Sequence, residues 1–102
     1  MNALDAQYQH AIDELAHDLL AERAAELRNW PDYGNCTIQV NNRVQDVGWW
    51  HYSFQETGQH HIFFKTGRKL WFGFYRPYLS GVKIAADNTV SLLSDEEVAE
   101  YD

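Results

Sequence analysis

Five histidines, His10, His17, His51, His60 and His61, are the side chains whose chemistry lies nearest neutral pH. A metal would need at least three of them, or two with a carboxylate or thiolate, to converge. His60 and His61 are adjacent, so on a strand they point to opposite faces. His51 and His61 read as cross-strand neighbours, and His10 and His17 share one side of a helix, but neither pair has a third ligand. Tyr75 and the histidines have the pKa range for acid–base work, yet no carboxylate or nucleophile is placed beside them. Ser53 and His51 lack a triad context, and Gly67 and Gly73 are too isolated to form a phosphate loop. Cys36 is the single cysteine, which excludes an internal disulfide and a cysteine-based zinc site. Near the start of a strand, it reads as a buried structural thiol. These patterns point away from catalysis, metal and cofactor.

A second kind of chemistry, contact, is better represented. The segment HHIFFKTGRKLWFGFYRPY, residues 60–78, holds seven aromatic rings and four cations in a chain of net charge −7. Large rings beside cations are the residues of interface hot spots and of single-strand nucleobase stacking. Charge is ordered along the chain: residues 1–33 carry net −5, residues 34–93 net +3, and residues 94–102 net −5. Glu14, Asp18, Glu22 and Glu26 recur every four residues and form one carboxylate ridge along the helix, beside the apolar stripe. Such a ridge suits a basic partner surface. The overall acidity weighs against plain nucleic-acid binding.

The elements that position these residues follow from periodicity. Leu4, Tyr8, Ile12, Leu15, Leu19 and Leu27 fall on one stripe at a 3.6-residue period, with no Gly or Pro between them, predicting one helix over 3–29. Arg23 lies near that stripe by angle, at the core edge. Trp30-Pro31 ends the helix and PDYGN turns. From Thr37 the period is two. TIQV, GWWHYSFQ, HHIFFK, LWFGFYR, VKIAA and TVSLL read as strands. Turns fall at Asn41-Asn42, at residues 56–59 and at Thr66-Gly67, with a loop at PYLSG. Ser94 and Glu97 form a capping box for a short terminal helix. The fold class is α+β in a single domain, residues 1–102: a long N-terminal helix packed on an antiparallel sheet of four to six strands, with a short C-terminal helix.

Strand parity then sorts the rings. Ile62, Phe64, Leu70, Phe72 and Phe74, joined by Trp50, Tyr52 and Phe54, are assigned to the core beneath the helix. Trp49, His51, Ser53, His61, Phe63, Lys65, Trp71 and Tyr75 form the opposite, mixed face. That face is either a contact surface or is covered by a terminal segment or a second protomer.

The expectation is a non-enzymatic protein-binding inhibitor of the antitoxin, immunity-protein or anti-CRISPR kind. It acts through the ridge Glu14, Asp18, Glu22 and Glu26, through the mixed face, or through both. Its partner is a protein with a basic surface. The alternative is a nucleic-acid or small-ligand module using the aromatic–basic sheet face, and a third reading is an enzyme of unfamiliar type using His51, His61 and Tyr75. No apolar run is long enough to span a membrane and no signal segment is recognised, so the chain reads as cytoplasmic.

Overall fold

The computed structural model describes residues 2–101. Asn2 caps the first helix, α1 (Ala3–Asp18), by accepting the Asp5 amide at 2.8 Å. Ile12 and Leu19 of the helical stripe are buried, as is Ala16 beside it. The straight helix over 3–29 is not what forms. A 3₁₀ turn, Leu19–Ala21, follows α1, and Glu22 leaves the helix at φ −82°, ψ 155° before α2 (Ala24–Arg28) begins. The bend carries buried Leu27 back to the same core as Ile12. It also lets Arg28 hydrogen-bond the carbonyls of Gly58 at 2.9 Å and Ala85 at 2.6 Å, tying two turns to the helical layer. Arg23 is the N-cap residue of α2 and is exposed, not set at the core edge.

Five antiparallel strands follow in sequence order: β1 (Tyr33–Val40), β2 (Arg43–Phe54), β3 (Gln59–Lys69), β4 (Tyr75–Ile84) and β5 (Val90–Leu92). Asn41 and Asn42 form the β1–β2 turn with φ 52° and 61°, the left-handed pair that a two-residue hairpin needs. The short helix α3 (Asp95–Ala99) has its capping box: Ser94 accepts the Glu97 amide, and Glu97 accepts the Ser94 amide.

The sheet departs from the strand reading in its turns and in its register. β1 begins inside PDYGN, where Tyr33, Gly34 and Asn35 already pair with β2. Thr66-Gly67 is not a turn, because β3 runs through it. The Thr66 hydroxyl is buried and donates to the Asp46 carbonyl at 2.6 Å. Gly67 lies under the Tyr75 ring, where a Cβ would come within 1.9 Å of Cζ. The chain turns instead at Trp71–Gly73, closed by the Leu70 amide donating to the Phe74 carbonyl at 2.6 Å. PYLSG and VKIAA, read as loop and strand, both contribute to β4.

Register supplies the second correction. Trp49 pairs with Phe64 and Trp50 with Phe63, so Trp49, His51 and Ser53 share the helix-facing side with Ile62 and Phe64. Trp50, Tyr52 and Phe54 lie on the outer side. The core beneath the helices is built from Ile12, Leu27, Val47, Ile62, Phe64, Tyr78, Val82 and Ile84, with Tyr8, Trp30 and Trp49 packed against it. Trp49 takes its place because Gly34 leaves room: a Cβ there would lie 2.3 Å from its ring. Cys36 is half-buried at the edge of this core, and burial raises its pKa.

Candidate binding surfaces

The turn between β3 and β4 holds the most exposed cluster of rings in the molecule. Trp71 is 77 % exposed, Phe72 84 %, Phe74 67 % and Tyr75 53 %. Parity assigns two of them, Phe72 and Phe74, to the core. The turn voids that alternation, and they project into solvent. Phe72 sits at φ 62°, ψ 24°, a left-handed conformation that costs a non-glycine residue about 1–2 kcal/mol. An exposed ring in a strained backbone does nothing for the core, and such sites cluster where function requires them. We call this turn the fingertip.

Its neck is held by a buried carboxylate that no local pattern reveals. Asp5, in the first turn of α1, accepts from the Tyr78 hydroxyl, from Arg68 Nη2 at 2.9 Å and from Arg76 Nη1 at 2.5 Å. The Tyr78 hydroxyl is the main reason that its pKa falls to about 2. Burial works against this shift, and the two guanidinium groups add to it. Arg68 and Arg76 face each other across β3 and β4, so Asp5 ties the base of the finger to the helix. From Gln59 to Ala86 the chain carries five cations and no carboxylate. The fingertip is therefore aromatic and locally basic on an acidic protein.

The outer sheet face holds His61, Phe63 and Lys65 as parity predicts, with Trp50, Tyr52 and Phe54 in place of Trp49, His51 and Ser53. Its centre is covered by a terminal segment. Tyr101, just beyond α3, stacks on Phe63 and on Tyr52, each at 4.9 Å between ring centroids. Its hydroxyl lies 2.5 Å from His61 Nδ1. Burial pushes the His61 pKa down, and burial first, then Glu100, raises Tyr101 to about 12. Among the described residues, His61 Nε2 is buried with no hydrogen-bond partner. Lys83 and Glu97, 3.1 Å apart, pin α3 to the same face. Trp50, Tyr52 and Phe54 keep part of their surface exposed around this cover.

On the helical side, Glu14 and Asp18 are exposed on α1 one turn apart. Glu22 lies at the break and Glu26 on α2, so the four carboxylates do not form one straight ridge. Asp102, counted in the C-terminal acidic group, lies outside the described residues. His51 turns inward, its Nδ1 2.7 Å from the Trp30 carbonyl and its Nε2 2.7 Å from His60 Nδ1. Both contacts are met when each imidazole is neutral with its proton on Nδ1. Burial, then the neighbouring His51 and Arg28, lowers the pKa of His60. Among the described residues no three His, Cys, Asp or Glu side chains gather as a metal site, and no helix is long and apolar enough to cross a membrane.

No protein-family model matches this chain, and neither a curated protein nor a solved structure matches it.

Proposed function

We propose that this chain is a non-enzymatic binding protein, and more narrowly a small inhibitor of the antitoxin, immunity-protein or anti-CRISPR kind. It seats the β3–β4 fingertip in an apolar pocket of an enzyme that acts on nucleic acid. The exposure of Trp71, Phe72, Phe74 and Tyr75 within five residues carries this reading. Clustered rings of this size supply binding energy by leaving water, and Trp and Tyr dominate measured hot spots. The acidic surface supports the choice of target, since exposed carboxylates such as Glu14 and Asp18 suit a groove that normally holds phosphates. The elongated shape suits insertion, because the molecule measures 43 × 24 × 22 Å and a cleft can take one end of it.

The test is affinity capture from lysate of the native host, with and without nuclease. The wild-type chain is compared with a Trp71→Ala/Phe72→Gly variant. The expected result is a protein retained after nuclease treatment, lost with the variant, and slowed in its own activity by the wild-type chain. A captured protein held equally by both chains would overturn the fingertip reading. The second reading, a nucleic-acid module, draws on the same hairpin's five cations and its stackable rings. Recovery of nucleic acid, with all protein lost on digestion, would put it first.

A further inference from the structure

The sheet has two edges, and they are managed differently. The β5 edge is only three residues long, a common way to blunt an edge. The β1 edge is eight residues long, and YGNCTIQV contains no charge and no proline. Its backbone pattern follows from the turn that ends it. A two-residue turn makes Val40 and Arg43 a hydrogen-bonded pair, and the His51 amide donates to the Asp32 carbonyl at 2.7 Å, two-residue steps along the same ladder. Even-numbered residues therefore bond β2. The N–H and C=O groups of Tyr33, Asn35, Thr37 and Gln39 point outward, and all four residues are exposed.

We infer that this edge is a docking site for an extended, basic segment of a partner protein, added as a sixth strand. The backbone edge supplies the hydrogen bonds, as in other strand-addition complexes. The choice of a basic occupant comes from the wall beside it. Ala11, Glu14, Leu15 and Asp18 of α1 line a shallow cleft with Thr37, Ile38 and Gln39. One helical turn separates Glu14 from Asp18 by about 6 Å. Alternate side chains on an added strand are about 6.8 Å apart. Lysine or arginine at every second position thus meets both carboxylates. A second copy of this chain fits poorly, because a two-fold axis at the β1 edge would bring two such acidic walls together. Glu14 also meets His10 Nε2 at 3.1 Å, an exposed pair that offers little competition. This site lies apart from the fingertip; it shares Glu14 and Asp18 with the acidic surface invoked for the fingertip's target, and the peptide test reads it separately.

The test uses the full chain with two terminally blocked octapeptides, (Lys-Thr)₄ and (Glu-Thr)₄, and amide hydrogen exchange read by NMR. At nine-tenths occupancy the lysine peptide slows exchange at Asn35, Thr37 and Gln39 about tenfold, and the glutamate peptide leaves it unchanged. Thr37→Pro removes one outward N–H without touching the β2 ladder, and it abolishes the protection. Glu14→Lys/Asp18→Lys reverses the peptide preference and does not depend on the proline variant folding. The Trp71→Ala/Phe72→Gly variant binds the lysine peptide normally. Equal protection by both peptides, or by neither, overturns the inference. So does protection that grows with protein concentration alone, which would make a second copy the occupant.

Discussion

Phe72→Gly separates folding from contact more sharply than any other single change. A phenylalanine ring buries on the order of 200 Å² when fully covered. With 84 % of Phe72 exposed, the fold uses about 30 Å², or about 0.8 kcal/mol at 25 cal/mol per Å². Glycine also relieves the left-handed backbone at φ 62°, about 1–2 kcal/mol, less about 0.5–1 kcal/mol for the freer unfolded chain. The terms nearly cancel, so folding stability stays within about 1 kcal/mol and Tm within about 8 °C. The remaining 170 Å², roughly, is what a partner pocket gains, a ceiling of about 4 kcal/mol. A loss of only about 2 kcal/mol already weakens Kd some 30-fold.

Two assays read the two halves: denaturant unfolding followed by circular dichroism, and titration of the captured partner. Phe64→Ala is the opposite control, since Phe64 is wholly buried and its truncation costs about 3–5 kcal/mol. If Phe72→Gly instead unfolds as readily as Phe64→Ala, the fingertip is part of the folding core and the exposure argument fails. If stability holds and partner affinity is unchanged, the contact lies elsewhere.

Stability against pH should show a plateau with identified shoulders. His61 and His60 have folded pKa values below their ordinary value of 6.5, so the unfolded chain takes protons first and stability falls as pH drops below about 6.5. Asp5, at about 2 in the folded state against 3.8, adds a second loss as pH falls below about 4. Tyr101, at about 12 against 10.0, keeps its proton longer when folded, so stability also falls above about pH 10. Denaturant midpoints from pH 3 to 11 test all three shoulders, and Tyr101→Phe should shrink the alkaline one, to which Tyr78 and Cys36, also raised by burial, contribute the rest. Separately, Gly81→Ala would place a Cβ 2.5 Å from the Ile62 carbonyl oxygen and 2.6 Å from Leu93 Cδ1. Backbone has little room to yield, so unfolding measurements should show a loss of about 1–3 kcal/mol; an unchanged midpoint would mean that β3, β4 and Leu93 pack loosely enough to absorb a methyl group.

Local patterns are legible where the determining chemistry is local. The apolar period of α1, the Ser94–Glu97 box, the Asn41-Asn42 turn and the parity of His61, Phe63 and Lys65 all depend on residues within one turn or strand. The α+β class follows from them. Three features lie beyond that range. The β2 face depends on the number of turn residues between Phe54 and Gln59, and a slip of one exchanges Trp49 for Trp50. The break at Glu22 has no Gly or Pro to announce it, because returning Leu27 to the core is a tertiary demand. Asp5 meets partners 63 to 73 residues away, so no window containing it shows why it is buried. The fingertip escapes strand parity for a related reason: an apolar run looks the same whether it lines a core or covers a protruding turn.

The aromatic excess decides what kind of surface this molecule offers. Of its fifteen rings, only five, Tyr8, Trp30, Trp49, Phe64 and Tyr78, serve the core beneath the helices. Five more, Trp50, Tyr52, Phe54, Phe63 and Tyr101, sit on the outer face, and only Phe63 among them is buried. Four stand at the fingertip and Tyr33 begins the open β1 edge. A chain of this length needs large rings to fill a small core, but five suffice here, with aliphatic residues supplying the rest. Phe63, Tyr52 and Tyr101 dock the C-terminal segment onto the sheet, but the fingertip rings are not explained by folding. Trp71, Phe72, Phe74 and Tyr75 crowd onto a turn whose backbone is strained at Phe72 and whose neck is tied to the helix by Asp5. Exposing an apolar tip to water gains nothing for the isolated chain. In a complex, a neck already tied to the helix lowers the ordering entropy lost when the tip is buried.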